Sequence, residues 1–215
     1  MGLSEVRERV AAACRRAGRS VDSVELVAVS KVQPVEKLRA AFDYGQRAFG
    51  ENYAQELRDK FDQLPGATWH FIGALQTNKV KLVVGRAALV HTCDRVALAS
   101  ELSRRAAAQG LVQRVLLEVN VAEEPQKAGA LPADVPGLLD QVRALPALRC
   151  EGLMCIPPAE GDPRRWFAAL RELAHRLALP QLSMGMSADY EAAIKEGATI
   201  VRVGSAIFGE RPKKG

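Results

Sequence analysis

The chain has 215 residues, 48% hydrophobic and 26% charged, which suits an ordinary globular protein with one sizeable core. Its 30 Lys and Arg outweigh 25 Asp and Glu, but the cations fall as doublets such as Arg15-Arg16, Arg104-Arg105 and Arg164-Arg165 with acids nearby. No basic block interleaves with aromatics and no apolar run approaches the roughly 18 residues of a membrane span, so neither a nucleic-acid nor a membrane partner is expected.

In chain order, a charged amphipathic helix comes first, at about 2–18, without a signal-peptide apolar region. A cytoplasmic location is the corresponding expectation. Short β-branched runs then predict strands near 24–29, 47–50, 68–72, 88–92, 113–119, 148–154, 181–183 and 199–203. Helical patterns lie between most of them, at about 34–44, 52–63, 78–84, 94–109, 134–144, 163–178 and 188–196. Val96, Ala99, Leu102 and Ala106 recur at helical spacing, as do Trp166, Leu170, Leu173 and Leu177.

Strands alternating with helices imply parallel crossovers, in a doubly wound sheet or a closed barrel. The first strand is followed by Ser30-Lys31-Val32-Gln33-Pro34 and not by a glycine fingerprint. Eight strands are the number that closes, so the expected fold is a single α/β domain over 1–215, a (β/α)8 TIM-like barrel with an additional N-terminal helix. Cys14, Cys93, Cys150 and Cys155 show neither CxxC spacing nor a metal-ligand rhythm with His70, His91 or His175. Reduced thiols and no metal site are expected.

In such a barrel, strand ends converge on one face, and chemistry belongs there. Lys31 stands at the mouth of the first strand, where poor hydration favours the neutral amine that a Schiff base requires. A solvated loop lysine ending a strand is the competing reading. After the seventh and eighth strands, Ser183-Met-Gly-Met-Ser187 and Gly204-Ser205 are where barrels often bind phosphate. Gly185 and Gly204 permit close backbone approach, and Ser187 is placed to cap the following helix, whose first turn carries Asp189 and Glu191. Plain turn chemistry explains either loop alone. Arg202, two residues before Gly204, points into the same mouth, to bond a ring nitrogen, pair with a carboxylate or hold a neighbouring acid.

These blocks resemble the YggS/PROSC family, the pyridoxal-phosphate homeostasis proteins, similar in fold to the barrel domain of alanine racemase. The resemblance runs through Ala28-Val-Ser-Lys31, Phe49-Gly-Glu-Asn-Tyr53, Trp69-His-Phe-Ile-Gly73, Leu75-Gln-Thr-Asn-Lys79, Val119-Asn120 with Lys127, Gly152-Leu-Met154, Gly185-Met-Ser187 and Val201-Arg-Val-Gly-Ser-Ala-Ile-Phe-Gly209. Departures are small: Ala74 for a common proline, Thr77 for Ser, Ser205 for Thr and Met184 for Leu. The resemblance implies that Lys31 holds pyridoxal 5'-phosphate as an internal aldimine. It implies that Ser187, Gly204 and Ser205 bind the phosphate, and that Arg202 faces the pyridine nitrogen. By the same resemblance Asn52 and His70 line the pocket beside the ring, and Met184 and Met186 pack near it.

An arginine is permanently charged and donor-only, so it keeps a ring nitrogen unprotonated and weakens the cofactor as an electron sink. Racemases with this arrangement draw a second base, a tyrosine, from another domain. Tyr44, Tyr53 and Tyr190 match no such base, and no second domain is expected after the eighth strand. The expectation is therefore a non-catalytic, monomeric cofactor carrier that meets apo-enzymes transiently. A pyridoxal-phosphate-dependent amino-acid racemase using His70 or water as second base is the first rival. The second is an aldolase-like or sugar-phosphate barrel enzyme in which Lys31 attacks substrate directly.

Overall fold

Short apolar strands separated by amphipathic helices can bury both faces of each strand only if the sheet is parallel and wrapped by helices. The computed structural model, which describes residues 2–209, shows this arrangement. Eight strands run as β1 Glu25–Val29, β2 Ala48–Glu51, β3 Thr68–Phe71, β4 Ala87–Cys93, β5 Gln113–Glu118, β6 Leu148–Met154, β7 Gln181–Ser183 and β8 Ile200–Val203. All neighbouring pairs are parallel, and β8 returns to β1, closing the barrel in sequence order. The TIM-like fold expected from the sequence is the one observed.

The helices are α1 Leu3–Arg16, α2 Val35–Asp43, α3 Ala54–Phe61, α4 Val96–Ala107, α5 Val135–Arg143, α6 Arg164–Arg176, α7 Tyr190–Lys195 and α8 Ser205–Phe208. Strand alternation sorts the side chains into two cores. Phe49, Trp69, Phe71, Leu117 and Val201 face the helical layer, where the Phe49 and Trp69 rings meet at 5.7 Å. Val27, Ala48, Leu89, Leu116, Met154 and Ile200 form a smaller cluster inside the barrel. On α4, Ala99, Leu102 and Ala106 are buried as their spacing predicts, whereas Val96 is 37% exposed. Helix α1 packs against α7 and α8 as an outer cover, with Arg9 and Arg16 both bonded to Glu191 at 2.8 and 2.6 Å.

Two segments differ from expectation. The helix predicted at 78–84 is a 3₁₀ segment, Thr77–Leu82. The buried side chains here are the β-branched Val80, Val83 and Val84, which disfavour a longer regular helix. The short α8 after β8 was not expected from the sequence; it is anchored where Lys37 donates to the Phe208 carbonyl at 3.0 Å.

Candidate functional site

The carboxyl end of β1 turns sharply through Ser30, Lys31 and Val32, closed by the Gln33 amide on the Ser30 carbonyl at 3.1 Å. Lys31 sits half-buried on this turn, at the rim of the barrel. Val32 is left-handed, φ +59°, a conformation unfavourable for a β-branched side chain.

The loops after β7 and β8 come together beside it. At Gly204 an added Cβ would lie 3.2 Å from both Cβ and the carbonyl oxygen of Val29, so the β8 exit presses against the end of β1. Gly185, at φ +92°, has no room for a side chain: a Cβ there would meet Ala193 Cβ at 2.5 Å. Ser187 and Ser205 face each other across the two loops, Oγ to Oγ 3.4 Å. The structure thus groups Lys31, Ser187, Gly204 and Ser205 around the β7–β8–β1 sector. Ser187 does not cap the following helix. Asp189 holds the N-cap position of α7, and its Oδ1 accepts the Met186 amide at 2.6 Å, fastening the loop back on itself. Met186 is 37% exposed at this rim, but Met184 belongs to the outer core. Alternation explains the correction: with Ser183 turned inward, Met184 must face the helices.

Arg202 points into the barrel and is 4% exposed. Its Nη1 donates to Ser183 Oγ at 2.5 Å and its Nη2 to the Cys155 carbonyl at 3.0 Å. Ser183 Oγ lies 2.8 Å from His91 Nδ1, and His91 Nε2 lies 2.9 Å from His70 Nδ1. His70 Nε2 faces Glu25 Oε2 at 3.6 Å, at the first residue of β1. Burial pushes the His70 pKa down to about 4 and that of His91 well below its ordinary value, so both rings are neutral. One direction of donation satisfies the whole chain: Arg202 to Ser183, Ser183 to His91, His91 to His70, with the last N–H toward Glu25. His70 is therefore a link in an interior chain running toward the amino end of the barrel, and not part of the lining of the mouth cavity.

That cavity, of about 270 Å³, lies at the strand ends on the other side of the mouth and is lined by Asn52, Gly73, Thr92, Glu118, Asn120 and Lys127 among others. Asn52 Oδ1 is buried without a hydrogen-bond partner. Glu118 is 8% exposed, and burial, reinforced by Asp94, pushes its carboxyl up to about 7. Lys127 donates to the Pro157 carbonyl at 3.2 Å. All four cysteines are free thiols, and Cys155 beside Arg202 is pushed up to about 12 by burial. Among the described residues no cluster is placed to hold a metal ion, and no helix is long and apolar enough to cross a membrane.

Residues 2–212 match the family described as alanine racemase, N-terminal domain. A pyridoxal phosphate homeostasis protein of Aquifex aeolicus is 46% identical over 220 residues, covering 97% of this chain and 96% of the relative. The structure of PipY from Synechococcus elongatus with PLP bound superposes with a TM-score of 0.80 at 36% identity, covering 95% of this chain and 100% of PipY. Alanine racemase from Corynebacterium glutamicum, 19% identical, shares the barrel fold over 100% of this chain and 63% of its own, with a TM-score of 0.72. Matched along nearly all of its length in both sequence and barrel geometry, the chain belongs to the alanine racemase N-terminal domain family and, within it, to the pyridoxal phosphate homeostasis proteins.

Proposed function

We propose that this single-domain protein binds pyridoxal 5'-phosphate at the β7–β8–β1 sector of the barrel mouth, held by Lys31 as a Schiff base. It serves intracellular homeostasis of the cofactor, buffering the free aldehyde and delivering it to apo-enzymes, as a cytoplasmic monomer. The observation that carries the reading is the convergence of Lys31, the paired Ser187 and Ser205 loops and the inward Arg202, in a chain 36% identical to a protein solved with PLP bound.

The residues present fit such a group. Gly185 and Gly204, each packed too closely on its neighbours to carry a side chain easily, bring the two loop backbones together in a way suited to a phosphate. The Ser187 and Ser205 hydroxyls, 3.4 Å apart, supply further donors. Asn52 Oδ1, buried and unpaired, is free to take a donor from a ring substituent. Bound pyridoxal 5'-phosphate supplies an aldehyde and an electron-withdrawing ring. Arg202 opposes protonation of that ring, because its guanidinium keeps its charge and its protons and has no lone pair to accept a ring N–H.

The racemase reading needs a second base. His70 does not supply one, since both its nitrogens are turned to His91 and Glu25 beneath the mouth. Glu118, held at about 7 in the mouth cavity, is the one feature that favours that reading. Absorption spectra and borohydride reduction test the proposal. The wild type should carry a visible aldehyde–amine band and a reduced adduct on Lys31, and Lys31→Ala should lose both. Rapid α-proton exchange of alanine, unaffected by free cofactor, would instead make the protein an enzyme.

A further inference from the structure

Next to Lys31 lies a charged cluster that the cofactor reading does not use. Lys60, on α3, is only 8% exposed, unusual for a residue that strongly prefers water. Its Nζ donates to the Ser30 carbonyl at 2.8 Å, Glu51 Oε1 at 2.7 Å and Glu56 Oε2 at 2.8 Å. Three acceptors saturate an ammonium, leaving neither a proton nor a lone pair for other chemistry. Glu56 Oε2 also accepts the Val32 amide at 2.8 Å, and Glu51 Oε1 also accepts the Ser30 hydroxyl at 2.7 Å. One cation therefore grips the chain on both sides of Lys31: directly at Ser30 and through Glu56 at Val32.

We propose that Lys60, with Glu51 and Glu56, is a positioning group that holds the Lys31 turn in the conformation able to capture an aldehyde. Val32 supplies the reason such a clamp is needed. A valine at φ +59° relaxes toward extended backbone unless its amide is held, and relaxation would rotate the neighbouring Lys31 away from the mouth. The cluster is a costly one. Glu51 is fully buried, its Oε2 has no partner, and burial pushes its carboxyl above the ordinary range. Replacing a buried ion cluster by apolar contacts of the same volume is often neutral or stabilising, so a role besides stability is the simpler account of this one. The inference rests on Lys31 as the residue that bonds the cofactor.

The test separates covalent capture from non-covalent binding. Lys60→Met and Glu56→Ala are mixed with excess pyridoxal 5'-phosphate and the band is followed in time. Affinity for pyridoxine 5'-phosphate, which has an alcohol in place of the aldehyde, is measured alongside, as is the thermal midpoint of each cofactor-free protein. Capture should slow by roughly a hundred-fold, the scale set by misplacing a reacting group by an ångström, while affinity for the alcohol analogue stays within about two-fold. Lys60→Arg, which keeps the charge and the donors, should recover part of the rate. Folded variants that capture at the wild-type rate, or lose analogue affinity in parallel with capture, would overturn the proposal. Should Lys60→Met not fold, Glu56→Ala decides on the same terms, since Glu56 lies at the edge of the cluster with its side chain 29% exposed. A wild-type adduct mapped to a lysine other than Lys31 would remove the functional reading itself, and this inference with it.

Discussion

Replacing Glu118 with glutamine should stabilise the cofactor-free protein at pH 8 and leave it nearly unchanged at pH 5. The carboxyl is 8% exposed and rises from 4.5 to about 7, because burial disfavours its charged form and Asp94 adds repulsion that Arg202 only partly offsets. Its folded-state pKa lies above the unfolded one. The contribution of the protonated form is therefore complete below 4.5 and is lost as pH rises through 7. A displacement of this size corresponds to about 3 kcal/mol at pH 8 and less than about 1 kcal/mol at pH 5. Glutamine keeps the shape and carries no charge at either pH. For a chain of this length the gain at pH 8 amounts to roughly 6–12 °C in Tm. Urea denaturation followed by tryptophan fluorescence at the two pH values measures it. His70, depressed to about 4, acts in the opposite sense, losing its contribution as pH falls from 6.5, but it is common to both proteins and cancels in the difference. An equal effect at both pH values, or destabilisation at pH 8, would refute a neutral buried carboxyl at the mouth.

Two further substitutions test the chain behind Arg202 and the backbone. Ser183→Ala strips partners from the buried Arg202 Nη1 and His91 Nδ1, which should cost about 4 kcal/mol in chemical denaturation; a loss below about 1 kcal/mol would contradict the interior chain. Ala178→Gly should raise Tm by about 2–4 °C, because this exposed residue after α6 sits at φ +53°, where glycine avoids about 1 kcal/mol of strain; an unchanged or lowered midpoint would argue against that strain.

The barrel and the strand-end placement of half of the candidate site were legible because both depend on local pattern. Apolar strand runs, amphipathic intervals and the strand-end positions of Lys31, Arg202, Gly204 and Ser205 are written residue by residue. Strand parity also contained the outward direction of Met184, since Ser183 and Met184 cannot both face the axis. What remained hidden depends on closure in three dimensions. His70 and His91 lie on neighbouring strands whose pairing shifts register between Trp69 and His70, so their contact follows from no spacing in the chain. Lys60 reads as an ordinary solvated helix lysine until α3 is docked beneath the β1 turn. Glu118 closes an apolar strand as many solvated acids do, and its burial depends on distant segments, the loop carrying Lys127 and the exits of β2, β3 and β6, that line the same cavity. Ser187 and Asp189 are both good N-caps, and the choice between them rests on which amide the folded loop presents.

The barrel wall pairs over different lengths around its circumference. Strands β5 and β6 share six register pairs, from Gln113↔Leu148 to Glu118↔Met154, whereas β7 and β8 share one, Ser183↔Ile200. That seam is also laced by the Met184 amide on the Ile200 carbonyl and the Arg202 amide on the Gly185 carbonyl, and it carries Ser187 on one side and Arg202, Gly204 and Ser205 on the other, with Lys31 one strand further on. On the proposed function, a small molecule gripped at these points would act as a rivet across three neighbouring staves of the cylinder. Filling the mouth would then join the first and last strands of the barrel through something other than their own ladder.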